Sequence, residues 1–562
     1  MKLLRVKILG QNFRSLPANV DYVFNDTLTE NKLSTKVFAG LNGSGKSNFL
    51  ELIAEIFYYL ERFSLEKTSK DYKKNKNIGF EIEYVIANKD IISHKKRFSL
   101  LDDTIDADIH VRIIKQLDEL PEFSYSSYGD TKFVRLDNTI GQLLPTHIIA
   151  YTSGQNELLS NAFIRIRYHY FNETQNLSNS LFDRRMYFID EESNYSIFVA
   201  NMLLGKEKPL TYLKKIFGVE DLYSFRITVN YKTRNKGDEQ LLKTKIGLLE
   251  PLKACASSWK NDIVNKVLVL DFVVNEATHQ AFKHYYKSAF KLFQVFYELQ
   301  SLNLLVDKQD VRKFVVNASK VLNVSDELSK PDPSDLIFRI EKIRIKKVPK
   351  KITEKDNNKP IYYKALSDGE HQLNEVIGSV MMMENEGSLF LMDEPDTHFN
   401  PKWRAKMVTM LNQVSGNEYD VKGNPEKIRQ HEIIMTTHSP FIISDNQKED
   451  VYKFEREIIS QKDINDPEIE HHFEKLNLKN PEYQTYGSSV GFVLETIFDR
   501  DLTISDYSNE ELNDLKASIK TLEDVKRVKK ELLKFGESIE KFDAYNYLMI
   551  KEKELKSEKD AD

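Results

Sequence analysis

The sequence predicts an α/β fold: a mixed β-sheet flanked by helices, with a helical insertion lobe and a helical C-terminal tail. Three observations predict it. Residues 40–47 fit G-x-x-x-x-G-K-[ST] at every fixed position. They lie between a short apolar run at 35–39 and a segment, 48–63, whose Phe49, Leu52, Ile53, Ile56, Phe57 and Leu60 recur at helical spacing. Two further apolar runs follow far downstream, one (388–392) ending in Asp393 and Glu394, the other (432–436) leading to His438.

A strand, a glycine-rich turn and a helix start make an anion site, because backbone N–H groups can wrap phosphates and the helix dipole adds positive potential. Asn42, Gly43, Ser44, Gly45, Lys46, Ser47 and Asn48 are the expected contacts. Lys46 would reach the β- and γ-phosphates and the Ser47 hydroxyl would ligate Mg²⁺, so a nucleoside triphosphate, ATP, is the expected ligand.

The 562 residues exceed what one core supports, so two or three structural units are expected. The apolar share of 41% and charged share of 30% are those of an ordinary globular protein. The single cysteine, Cys255, excludes an internal disulfide framework and a Cys-x-x-Cys metal hook, which fits a reducing cytoplasm. No apolar run reaches eighteen residues, and residues 1–5 begin a strand rather than a signal peptide, so no membrane role is expected. A net charge of −5 argues against a nucleic-acid binder over its whole surface, while leaving room for local basic patches.

In chain order, residues 3–9 alternate as a half-buried strand with 20–24 as hairpin partner, and Asn12-Phe13-Arg14 lie between them. Residues 80–86 and 90–98 read as strands after a lysine-rich loop at 67–76. A strand at 146–152 runs into a polar loop with Gln155 at its exit, where a glutamine can hold Mg²⁺ or the attacking water. Residues 277–304 and 308–322 read as helices, their aromatic stripe as packing core. Residues 337–351 alternate apolar and basic; a solvated edge strand and a strip along a nucleic-acid backbone both fit.

Ser367 is a natural N-cap with Glu370 at the capping-box position, opening a helix through Met383. Asp393 after its apolar strand would hold Mg²⁺, Glu394 would polarise the attacking water, and a neutral His438 would meet the γ-phosphate or that water.

Residues 40–47, Gln155, Leu366-Ser367-Asp368-Gly369-Glu370, Asp393-Glu394-Pro395 and His438 resemble the P-loop, Q-loop, signature, Walker B and switch histidine of ABC-class ATPases. The opening Asn12-Phe13-Arg14-Ser15 and the run 393–401 resemble the non-transporter branch of RecF, SMC and OLD-type ATPases. In that class two heads sandwich two nucleotides. The resemblance implies that Asn12, Arg14, Ser367, Asp368 and Gly369 also meet nucleotide, with Ser367 acting on the partner's Lys46 site, and a homodimer at least. Asp368 and Glu370 depart from the usual Leu-Ser-Gly-Gly-Gln signature. Residues 366–372 and 151–157 further resemble a bacterial antiphage subgroup, the PtuA ATPases of Septu systems and their retron-associated relatives. That resemblance implies an HNH nuclease partner and, in the retron version, a reverse transcriptase whose RNA–DNA product holds the complex inactive.

The expected organisation is a first ATPase half at 1–160, a mostly helical insertion at 161–335, a second ATPase half at 336–450 and a helical partner-docking region at 451–562. No nuclease is expected within the chain: Asp499-Arg500-Asp501 matches Asp-x-Asp but follows a helical segment. Two rival readings stand beside it: a RecF- or SMC-like repair ATPase that clamps DNA, with the basic strand at 342–351 as its support, and a structural or toxin-like NTP-binding module acting alone.

Overall fold

A computed structural model describes residues 1–24, 33–65, 77–86, 108–136, 141, 143–154, 158–173, 184–232, 242, 245–317, 324, 328, 331–348, 359–383, 387–415, 431–462 and 470–561. Among them, in chain order, the strands are β1 (Lys2–Ile8), β2 (Asp21–Val23), β3 (Ser34–Ala39), β4 (Phe80–Ile86), β5 (Ile109–Lys115), β6 (Glu122–Ser127), β7 (Val134–Leu136), β8 (Ile148–Thr152), β9 (Met186–Ile189), β10 (Val219–Asn230), β11 (Ser258–Asp262), β12 (Val267–Val273), β13 (Phe338–Lys347), β14 (Ile361–Tyr362), β15 (Leu389–Asp393), β16 (Glu432–Thr436), β17 (Val451–Lys462) and β18 (Glu470–Lys479).

The central sheet has the order β18-β17-β3-β16-β15-β8-β9, parallel throughout except for the β17–β18 hairpin at its edge. Its inner strands β3, β16, β15 and β8 are buried along nearly their whole length because both faces are covered. Val37, Tyr151, Met392 and Met435 enter one core; Phe38, Ala150, Leu391 and Ile434 enter the other, as the period of two requires.

The second of these cores holds helix α1 (Lys46–Ser64), clamped between the central sheet and an antiparallel sheet β2-β1-β4-β5-β6-β7. Nearly every side chain of α1 from Phe49 to Phe63 is buried, including Glu51, Glu55 and Glu61. Each of these carboxylates has an arginine: Arg14, Arg165 and Arg185 respectively. A buried carboxylate is tolerable only with such a partner.

The other core holds the insertion, whose strands add to the expected organisation. Helices hold most of the described residues of 161–335, but the insertion also carries strands: β9 joins the central sheet, and β10, β11 and β12 enter a second antiparallel sheet, β11-β12-β10-β13-β14. The segment Val267–Val273 alternates buried and partly exposed residues with period two, a strand signal. The stretch read as one helix at 277–304 is two, Glu276–Tyr286 and Ala289–Gln300, broken where Lys287 adopts φ 62°. The boundary at 450 also moves, since β17 pairs with β3 and belongs to the central sheet. Within the region after 450, the described residues become mainly helical only from Val490 onward. The expected strand at 90–98, the basic loop at 67–76, the end of the helix expected at 308–322 and Gln155 lie outside the described residues.

The last three long helices, Asp506–Ala517, Leu522–Glu531 and Ile539–Ala561, form a small module with its own core of Leu512, Val525, Val528, Leu532, Ala544 and Leu548. Among the described residues no helix is long and apolar enough to cross a membrane.

Candidate functional site

The glycine-rich turn leaves β3 and enters α1 with Gly40, Gly43 and Gly45 at φ 138°, 75° and 109°. Gly40 is obligatory twice over, since a Cβ there would stand 2.5 Å from the Phe454 carbonyl oxygen of β17. The Lys46 ammonium curls back onto the Gly40 and Leu41 carbonyls, 2.9 Å from each. Burial pushes it down to about 8, against the pull of Glu394 and Asp393. The Ser44 hydroxyl is buried without a hydrogen-bond partner, while Asn42 and Gly43 face solvent. A loop of φ-positive glycines with an orphaned hydroxyl and a desolvated ammonium fits a polyphosphate.

β16 separates β3 from β15, and its Thr436 bridges the gap. The Thr436 hydroxyl donates to Asp393 Oδ1 at 2.5 Å and accepts from the Glu394 amide at 3.0 Å. Ser47 Oγ donates to the same Asp393 Oδ1 at 2.9 Å. Burial raises the Asp393 carboxyl, and the Thr436 and Ser47 hydroxyls hold it back. A hydroxyl and a carboxylate oxygen this close suit a hard cation that also takes phosphate oxygens, so Ser47 and Asp393 would hold Mg²⁺. Among the described residues no cluster of three His, Cys, Asp or Glu competes for that role.

Glu394 sits at φ 50°, a conformation that costs a non-glycine residue energy and aims this carboxylate off the strand. Its Oε1 lies 3.6 Å from His438 Nε2. Burial, reinforced by the Lys46 charge, pushes His438 down to about 4, so the imidazole is neutral at pH 7. Lys46, Ser47, Asp393, Glu394 and His438 are thus assembled in one place. Ser153 and Thr397, whose hydroxyls meet at 2.9 Å, tie the end of β8 to the turn after β15.

Asn12 and Arg14 both have partners within the chain. The Asn12 carbonyl caps its own turn by accepting from the Ala18 amide at 2.8 Å, and Arg14 is engaged by Glu51 through two hydrogen bonds. Burial lifts Glu51 to about 7 even against Arg14. Asn48 donates to Ser15 at 2.6 Å, which holds this loop against the start of α1.

The capping box of Ser367 and Glu370 is present, and Lys347 of β13 pairs with Glu370 at 2.7 Å. A Cβ on Gly369 would stand 2.7 Å from the His398 carbonyl oxygen, so this glycine lets the helix pack on the turn after β15. Ser367 and Asp368 point to solvent. The helix is regular over Asp368–Leu373, widens to a π-turn at Asn374–Gly378 and ends at Met382. On β13, Lys342, Arg344 and Lys346 alternate with buried Ile343 and Ile345.

Thr436, Ser153 and the Glu51 carboxylate were missed by sequence reasoning. A threonine at the end of an apolar strand carries no signal alone; only the sheet order places it beside Asp393.

With this geometry in hand, comparison adds one match: a family model described as "AAA domain, putative AbiEii toxin, Type IV TA system" covers residues 274–444. The fold is that of an ABC/AAA-type P-loop ATPase. The matched stretch contains Ser367, Asp393, Glu394 and His438, and the phosphate loop at 40–47 precedes it. No curated protein matches the chain.

Proposed function

We propose that this chain is the ATPase subunit of a bacterial antiphage defence complex, in which ATP closes two copies face to face and so controls a separate HNH-type nuclease. The observation that carries the dimer is the solvent exposure of Ser367 and Asp368 on a helix held by its capping box and by Lys347. The opposite half-site is equally open: Asn42 and Gly43 are exposed and the Glu394 side chain is 43% accessible. Phosphate chemistry gains from excluding water, and a second copy whose Ser367 covers the first copy's Lys46 supplies the missing wall.

In this reading Lys46 and the loop amides hold the phosphates, Ser47, Asp393 and Gln155 hold Mg²⁺, Glu394 activates water, and neutral His438 orients it. The bound metal would neutralise charge on the phosphates. The description of the matching family as a putative toxin of a toxin–antitoxin system supports an effector role. The reading as a Septu or retron ATPase, with a reverse transcriptase and its RNA–DNA product in the retron case, rests on residues 366–372 and 151–157. A tagged pull-down with nucleic acid retained tests it: a small HNH protein should co-purify, and recovery of the ATPase alone would reject it.

A second reading, a DNA clamp, is favoured by one observation. Lys342, Arg344, Lys346 and Lys364 have no carboxylate partner among the described residues; Arg344 and Lys364 gather instead around the exposed Tyr362 ring. DNA affinity that falls steeply with salt, and falls again in Lys342→Glu with Arg344→Glu, would support it.

A further inference from the structure

Two separate contacts bring the nucleotide site to the same helix end. The ring of His438 lies 5.9 Å, centroid to centroid, from the ring of Phe498, last residue of the helix Val490–Phe498. On the other side of the phosphate loop, Lys453 is the register partner of Ala39, the residue before Gly40. Its ammonium donates to the Thr496 carbonyl at 2.9 Å and lies 3.5 Å from Asp499, which caps that helix in the left-handed region at φ 51°. Lys453, Asp499 and the loop residues Leu41–Ser44 line one pocket of about 310 Å³.

The C-terminal module begins here. The Arg500 amide donates back to Leu494, Arg500 reaches the Leu502 and Ile504 carbonyls, and the amide and hydroxyl of Thr503 both bond Glu540 of the last helix. The module's core shares no residue with the two large cores, so the short link after Phe498 is a covalent route by which it can follow events at the phosphates.

We infer that Phe498 is a positioning residue for His438 and that the Phe498–Asp499 helix end couples the γ-phosphate state to the C-terminal module. The inference rests on the proposed ATP site and adds the regulation of that site. Whatever moves His438 must move or release Phe498, and Lys453 reports the same event from the loop side. The coupling is reciprocal: a partner that grips the module must change ATP affinity by the factor with which ATP changes that partner's grip.

The test is hydrogen exchange on the full-length protein with Mg²⁺ plus ADP, and with Mg²⁺ plus a non-hydrolysable ATP analogue, alongside calorimetric nucleotide affinity and hydrolysis rates. Wild-type exchange over residues 499–506 should differ between the two nucleotides by roughly fivefold or more. Phe498→Ala should abolish that difference and lower kcat about tenfold with little change in nucleotide affinity, Phe498→Tyr should restore both, and Lys453→Met should halve the difference or more. An analogue that binds while 499–506 exchange identically overturns the inference and leaves the site standing, as does a folded Phe498→Ala or Lys453→Met that keeps the wild-type difference. Failure of both nucleotides to bind overturns the site and the inference together.

Discussion

Thr436 and Asp393 are joined by a 2.5 Å hydrogen bond that links two neighbouring parallel strands at the point where the phosphates would lie. Because the same hydroxyl receives the Glu394 amide, Thr436 fixes both Asp393, the proposed cation ligand, and Glu394, the proposed activator of water. Thr436→Val keeps the shape and deletes both bonds. It should destabilise the fold by about 1–3 kcal/mol and slow ATP turnover at least tenfold, read by thermal melts and steady-state kinetics. Turnover equal to wild type would remove Thr436 from the site.

In the proposed mechanism Lys46 serves binding and Glu394 serves chemistry. Lys46→Ala should weaken ATP by about 2–3 kcal/mol, since a charge-assisted contact to phosphate is lost. Glu394→Gln should bind ATP as wild type does and hydrolyse it roughly 10²- to 10⁴-fold more slowly. Calorimetry and phosphate release distinguish the two, and equal loss of binding in both would contradict the assigned roles.

The carboxylates along α1 make a stability prediction of their own. Arg185 donates to Glu61 at 2.8 Å, and both are buried. Arg185→Met strands a buried charge and should cost about 3–5 kcal/mol in chemical denaturation, whereas Arg14→Met, at a pair with one exposed end, should cost less.

Glu375 supplies a pH dependence. It lies in the π-turn behind the Ser367 helix; burial pushes it up to about 7, although Asn194 and Tyr151 donate to it, and Asp190 and Glu191 push the same way. A carboxyl with a higher pKa folded than unfolded binds its proton more tightly in the native state. Its stabilising contribution is complete below about 4.5 and is lost as pH rises to about 7. Glu375→Gln should remove that slope, gaining on wild type across this window by at most about 3 kcal/mol. Parallel stability profiles would contradict it.

What was legible in the sequence was what is local. The phosphate loop, the strand before it, the helix after it and the Ser367–Glu370 box are each written in one continuous stretch, the longest of them the 19 residues of α1, where turn, cap and period rules act. The second sheet was not legible in the same way: β10 pairs with β13 across more than a hundred intervening residues, and the aromatic helices between them carry the louder signal. β17 was assigned to the tail for the same reason, because only its pairing with β3 makes it central. Glu51, Glu55 and Glu61 sit at helical spacing like a solvent face, and nothing local reveals that arginines from three distant segments bury them. Arg14 is one of them: the sequence gives no sign of its pairing with Glu51.

The central claim is that ATP, held by Lys46 and covered in trans by Ser367, joins two copies. The most direct measurement is the light-scattering mass of Glu394→Gln with Mg²⁺ and ATP, with and without a second substitution, Ser367→Arg. ATP should double the mass of Glu394→Gln and leave the double variant monomeric with ATP still bound. A mass that ATP does not change while calorimetry shows it bound, or a double variant that still pairs, would contradict it.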